Sequence, residues 1–220
     1  METDRKWVIV RIDGKIAAIS TDYRLLASIT AGLAADSHTQ KSHRKAGRIR
    51  QKTEGGPAHE EITAVTVGFE EVWKLRQEVK WEDLTLYGTE FQKTVWRKLW
   101  ELTHRQPTDG QQVSEDPGNQ HAAGLISYSD FAGLCSNRAG VRAVAHAIGL
   151  NPISVVIPCH LVIPKESIDK INDIQKKAET TIFKGDDLCL KSILSDSSID
   201  FGEYSLGRGL KRELIQMELA

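Results

Sequence analysis

Residues 151–164 read "NPISVVIPCHLVIP". The run is almost wholly apolar and rich in β-branched residues, so it has to be buried wherever it runs. It reads as a strand broken at Pro158, whose ring removes a ladder donor. At the break the chain carries Cys159 and His160 side by side. On a regular strand those side chains would point to opposite faces. A bend at Pro158 is therefore needed before a thiol and an imidazole can share one pocket. A thiol becomes a nucleophile as its thiolate, and an unassisted one titrates near a pKa of about 8.5. It needs a base or a positive field close by. By itself the dipeptide also allows a blander reading, a small buried hydrophobe beside a satisfied structural histidine. A zinc site does not suit it, because adjacent residues rarely ligate one tetrahedral ion and there is no Cys-x-x-Cys.

The elements around this run divide the chain in two. "KWVIVRIDGKIAAIS" reads as a hairpin turning at Asp13-Gly14. "DYRLLASITAGLA" has helical spacing, residues 36–60 a polar, basic loop, and "EITAVTVGF" the alternation of a strand. "EEVWKLRQEVKWEDL" is a linker or a helix. This N-terminal part, 1–85, is expected to be a small sheet with a helix. From residue 86 the character changes. "TEFQKTVWRKLWEL" places Phe91, Val95, Leu99 and Leu102 on one helical face. A polar, Pro- and Gly-bearing insertion covers about 103–125. "SYSDFAGLC" starts a helix, with Ser127 and Asp130 at the spacing of a capping box. "SNRAG" is a turn and "VRAVAHAIGL" a second helix, so the pair makes a helix-turn-helix. A long charged loop is expected from about 164 to 200. "LGRGLKRELIQMEL" closes the chain as an amphipathic helix with Leu210, Leu214 and Met217 inward.

Bulk properties exclude several classes. The chain has 220 residues and a formal net charge of −1, so any nucleic-acid affinity must come from local patches. Three cysteines, Cys135, Cys159 and Cys189, do not make a disulfide framework. "METDRKWVIV" does not read as a secretory leader, and no segment approaches membrane-spanning length. The expectation is a reducing, intracellular setting in which Cys159 stays a thiol.

Three features taken together go further: the helix-turn-helix, the Asn-Pro…Pro-Cys-His run after it, and a terminal helix in which a Lys precedes a Glu by seven residues. The stretches "FQKTVWRKLWEL", "ISYSDFAGL", "RAVAHAIGLNPISVVIPCHLV" and "YSLGRGLKRELIQME" resemble the O6-alkylguanine-DNA alkyltransferases, the methylated-DNA–protein-cysteine methyltransferases. The resemblance covers roughly 86–220 apart from the two insertions. It implies an α+β chain: a small N-terminal sheet-plus-helix, ribonuclease H-like domain, then a winged helix-turn-helix-like alkyltransferase domain. It implies that Cys159 accepts the alkyl group, that His160 is its base, and that Glu218 orients and charge-stabilises the imidazole. Tyr128 would assist the leaving guanine. Asn151 would tie the recognition helix to the active-site turn. Ser205, with Tyr204 beside it, and Val162 would hold the base. Arg142 would fill the gap left by an everted nucleotide, and Ala143 would let the helix approach the minor groove closely. Implied too are single use of each molecule, no cofactor, no metal, double-stranded DNA containing O6-alkylguanine as partner, a monomer, and residence in the nucleus.

The chain departs from the family pattern in two respects. Leu161 stands where the Pro-Cys-His-Arg-Val motif has arginine, and insertions fall at 103–125 and 164–200. Leu206 occupies a position that lines the pocket mouth in the family. Three other readings stand beside the resemblance: an alkylguanine-sensing DNA-binding protein without transfer, a cysteine hydrolase using Cys159, His160 and Glu218, and a structural protein with an inert thiol.

Overall fold

In a computed structural model, the structure describes residues 5–22, 61–104, 124–180, 193 and 196–219. The architecture is mixed α+β, and the chain divides into two compact units. One draws its described residues from 5–22, 61–87 and 152–154. The other draws them from 88–104, 124–151 and the described part of 155–219. The expected helix over 23–34, the basic loop of 36–60, most of the first insertion and Cys189 lie outside the described residues. Among the described residues no helix is long and apolar enough to cross a membrane.

The first unit is a three-stranded antiparallel sheet in the order β2-β1-β3. β1 (Trp7–Ile12) and β2 (Lys15–Ser20) form the expected hairpin. Its turn residues, Asp13 at φ 48° and Gly14 at φ 79°, both lie in the left-handed region that a tight primed turn demands. β3 (Ile62–Val67) pairs with the other edge of β1. Central β1 is consequently buried along almost its whole length. Helix α1 (Phe69–Glu78) follows. Residues 152–154 join this unit: the Ile19 amide donates to the Pro152 carbonyl at 2.9 Å, and the Ser154 amide donates to the Ile19 carbonyl at 3.1 Å.

That pairing corrects the expectation of a strand running from 153 up to a break at Pro158, since regular pairing is lost before the proline. The run is buried throughout, as its composition required, but only Ile153 bridges to the sheet. Val155 takes φ 72°, a strained value for a β-branched residue, and the chain turns there. Regular pairing returns in β5 (Val162–Ile163), which runs parallel to β4 (Ile126–Ser127). An apolar run announces burial, whatever path its backbone takes.

The second unit is helical around that short ladder. α2 (Glu90–Glu101) begins with a full capping box: Thr89 Oγ1 accepts from the Gln92 amide at 3.2 Å, and Gln92 Oε1 accepts from the Thr89 amide at 2.8 Å. Its buried face is Val95, Trp96, Leu99 and Trp100. Phe91 is 39% exposed and Leu102 only half-buried, so the face is rotated from the expected one toward the two tryptophans, which have more apolar area to hide. α3 (Tyr128–Leu134) and α4 (Val141–Gly149) form the helix-turn-helix, joined through Ser136 at φ 54° and a single turn at Arg138–Gly140. Ser127 caps α3 by accepting from the Asp130 amide at 3.1 Å. The Asp130 carboxylate takes the Ser127 hydroxyl proton at 2.6 Å, so only half of the capping box forms. The Trp96 indole donates to the Ala147 carbonyl at 2.8 Å in a buried setting and pins α4 to α2.

The expected loop over 164–200 is instead largely a helix at its start, α5 (Lys165–Thr180). Its charge conceals an apolar stripe of Ile168, Ile171 and Ile174. That stripe packs into a cluster with Leu125, Leu161, Ile163, Ile199, Phe201 and Ile215. The last helix, α6 (Arg208–Leu219), buries Leu210 and Leu214 as expected and Ile215 as well, while Met217 is half-exposed.

Trp96→Phe keeps an aromatic ring but removes the donor and part of the buried indole, leaving the Ala147 carbonyl one partner short. Urea unfolding should show a loss of about 1–3 kcal/mol. An unchanged midpoint would show that the indole bond does not hold α4.

Candidate active site

Cys159, His160 and Leu161 form one tight 3₁₀ turn behind Pro158. The Cys159 amide donates to the Ile157 carbonyl at 2.8 Å, and the Leu161 amide to the Pro158 carbonyl at 3.1 Å. The chain thus bends at Pro158, as a shared pocket for sulfur and imidazole requires. Cys159 is 5% exposed, and that exposure opens on a pocket of about 380 Å³. Tyr128 at the start of α3, Ala145 and Ile148 on α4, and Tyr204 and Ser205 ahead of α6 build its walls, with Glu203 at the side.

Each group on the sulfur comes from a different element. Asn151, buried at the end of α4, donates through Nδ2 to the Ile157 carbonyl at 2.9 Å and to Cys159 Sγ at 3.1 Å. One side chain therefore fixes both the turn and the thiol. Lys211 on α6 is 1% exposed. Its ammonium donates to the Val162 carbonyl at 2.8 Å and the Glu203 carbonyl at 3.4 Å, and lies 5.8 Å from the Tyr128 ring centre. Gly202, at φ 82°, passes so close that a Cβ there would meet Pro164 at 3.2 Å and Lys211 Nζ at 3.6 Å. His160 Nε2 pairs with Glu218 Oε1 at 2.8 Å, the histidine fully buried and the carboxylate 14% exposed.

Opposing forces act on these protons. Burial pushes the Cys159 thiol up, and it outweighs the Asn151 hydrogen bond, the Lys211 charge and the nearby Tyr204 hydroxyl, which pull it down. Burial drags Lys211 down to about 8, against the pull of the sulfur and of Asp200 and Glu203. At neutral pH the lysine is still mostly a cation. Burial also raises Tyr128, helped by negative charge at Cys159, Asp200 and Glu203, so its hydroxyl stays a donor. On balance burial prevails and the resting sulfur is a thiol, while the Asn151 hydrogen bond and the Lys211 charge lessen the cost of its thiolate. The Tyr128 hydroxyl can donate a hydrogen bond to something bound in the pocket.

The structure gathers Cys159, Tyr128, Tyr204 and Ser205 at the pocket; Asn151 reaches the sulfur, and His160 in the same turn as Cys159 pairs with Glu218, none of these three lining the pocket. Arg142 and Ala143 stand on the exposed face of α4, away from the pocket lining. Val162 is fully buried and offers its carbonyl to Lys211; neither it nor Leu206, 8% exposed, is among the lining residues. Lys211 entered the sequence reading only through its spacing from Glu218. Its helical stripe gives it away, because positions 211, 214, 215 and 218 share one face and Leu214 and Ile215 are core. Among the described residues no group of three His, Cys, Asp or Glu side chains is placed to hold a metal.

Residues 121–180, which carry the helix-turn-helix and the Pro-Cys-His turn, match the family model of the 6-O-methylguanine DNA methyltransferase DNA-binding domain. The chain resembles the methylated-DNA–protein-cysteine methyltransferases. A probable methylated-DNA–protein-cysteine methyltransferase of Acanthamoeba polyphaga mimivirus is 35% identical over 85 residues, 39% of this chain and 45% of that protein. The inducible methylated-DNA–protein-cysteine methyltransferase of Bacillus subtilis (strain 168) is 38% identical over 78 residues, 36% of this chain and 34% of that protein. The matched stretch thus spans less than half the length of either relative. The O6-methylguanine-DNA methyltransferase from the hyperthermophilic archaeon Pyrococcus kodakaraensis superposes over 97% of this chain and 91% of its own, at 19% identity and a TM-score of 0.44, too loosely to carry an argument.

Replacing the buried ammonium tests the electrostatics. Lys211→Met removes a positive charge that favours the thiolate, so the pKa of Cys159 should rise. Iodoacetamide modification of Cys159 near neutral pH should slow by about tenfold for each unit of rise. An unchanged pH profile would show that Lys211 has no hold on the sulfur.

Proposed function

We propose that the chain repairs O6-alkylated guanine in double-stranded DNA by moving the alkyl group onto its own Cys159, one group per molecule. The observation that carries this reading is a thiol on an open pocket, hydrogen-bonded by Asn151, within the field of the buried Lys211 ammonium, and followed in the same turn by a histidine paired with Glu218. The damaged base leaves the stack and enters the pocket, because the sulfur cannot reach into a duplex. His160, oriented by Glu218, takes the thiol proton. The sulfur attacks the alkyl carbon; an S–C bond forms as the O6–C bond breaks, and its electron pair goes to the guanine oxygen. A proton returns to the base, so thiol and O6-alkylguanine become thioether and guanine. The Tyr128 hydroxyl donates to the purine as negative charge develops, and Ser205 binds the guanine oxygen. The thioether has no good leaving group, which ends the life of the protein as an acceptor.

The helix-turn-helix supplies the DNA contact in this reading. Arg142 and Ala143 project from the free face of α4; the small alanine permits close approach to the minor groove, and the guanidinium occupies the space of the everted base. Val162 and Tyr204 bound the base edge. The finer fold belongs to the same reading: a ribonuclease H-like first domain over 1–85 and a winged helix-turn-helix in the second, 86–220. So does its setting, a monomer in the nucleus that works without cofactor or metal.

Intact-mass measurement after incubation with a duplex containing O6-methylguanine should show one hydrogen replaced by one methyl group, located at Cys159 and absent in Cys159→Ser. Binding of the lesion without a mass change would replace this reading with a sensing one. Arg142→Ala should slow transfer from duplex DNA by about tenfold or more, a typical scale for a lost charge-assisted contact, and leave reaction with the free base little changed. Equal losses on both substrates would place Arg142 outside the base-eversion step.

A further inference from the structure

Leu161 follows the nucleophile and its base in the same 3₁₀ turn, and it is 2% exposed. Its surroundings are apolar: Ile163 on the same ladder, Ile168 and Ile171 from α5, Ile199, Phe201 and Ile215. Two of these come from the helix that occupies the second insertion. That helix holds more than the turn. Ser167 Oγ donates to the Asp200 carbonyl at 2.6 Å, and Lys170 Nζ to the Ser198 carbonyl at 2.6 Å. The Gly202 amide in turn donates to the Asp200 carboxylate at 2.9 Å. Residues 198–202 lead directly into Glu203, Tyr204 and Ser205 on the pocket wall. The helix thus bears on both sides of the pocket, on the turn that carries the sulfur and on the segment that faces it.

We infer that helix Lys165–Thr180 is a positioning element of this active site, and that Leu161 is its point of purchase on the catalytic turn. A leucine has no group with which to hydrogen-bond the turn, so its support here is apolar packing within this cluster, and the leucine and the helix form one device. Each fully buried aliphatic side chain in it is worth about 1.5–3 kcal/mol of burial. An arginine at position 161 would bring five donors and a charge against the apolar side chains of that cluster. Ile168 and Ile171 are positioning residues, since neither is among those lining the pocket.

The inference rests on the alkyl-transfer reading, and its test separates the two. Ile171→Ala, Leu161→Arg and the conservative Leu161→Met are compared with wild type in the full chain. Val10→Ala, in the sheet of the other unit, serves as a control for general destabilisation. Two rates are measured where circular dichroism shows each variant folded: methyl transfer from duplex DNA, and iodoacetamide modification of Cys159 as a function of pH. Ile171→Ala and Leu161→Arg should slow transfer by about ten- to a hundredfold, the scale of a small misplacement of reacting atoms. Both should also displace the pH profile. Leu161→Met should stay within about threefold, as volume-conserving swaps do. The control should lose stability with both rates intact. Wild-type rates and profile in Ile171→Ala, or in Leu161→Arg, would overturn the inference. If wild type forms no methyl adduct the functional reading fails, and the displacement of the iodoacetamide profile still decides whether the helix positions the thiol.

Discussion

Burying a thiol works against using it. A sulfur withdrawn from water favours its neutral form, yet nucleophilic attack calls for the thiolate. The surroundings of Cys159 offset part of that cost with groups drawn from separate parts of the second unit. An amide from the end of α4 donates to the sulfur, and an ammonium from α6 supplies charge. The ammonium is itself buried and loses proton affinity for it. The thiol and the lysine thus each make the charged form of the other less costly.

This constraint explains why so much of the unit converges on one short turn. Asn151 spans from the Ile157 carbonyl to the sulfur, so the geometry of the bend and the state of the thiol depend on one side chain. Lys211 spans from Val162 to Glu203, joining the strand after the turn to the pocket wall. Beneath them the apolar cluster around Leu161 fixes the turn from below. Polar groups set the chemistry and aliphatic packing sets the position, and the chain alternates between them within five residues: Cys159 and His160, then Leu161, Val162 and Ile163.

The readable parts were those with short-range signals. Asp13-Gly14 marked a turn because few residue pairs accept two left-handed conformations. Ser127 marked a helix start because a hydroxyl there satisfies an orphan amide. The two helices before Asn151 were visible in their spacing, and Cys159, His160 and Glu218 could be picked out through a family resemblance. The failures have physical causes too. Residues 165–180 look like a loop because twelve of the sixteen are charged or polar, yet isoleucines at 168, 171 and 174 suffice to make one apolar face. Residues 153–163 look like a strand because β-branched residues favour one, yet Ile153 pairs with the first unit and Val155 turns the chain.

Sequence alone determined which residues carry reactive chemistry, where the chain must be buried, and where helices begin, because these depend on side-chain type and on neighbours three or four positions away. Tertiary structure alone decided that the Lys211 charge acts on the sulfur, that His160 meets Glu218 across 58 positions of chain, and that Leu161 joins one apolar cluster with Ile168 and Ile171. Those are contacts between distant segments. Their energies depend on desolvation and on exact distance, and neither quantity exists until the chain has folded.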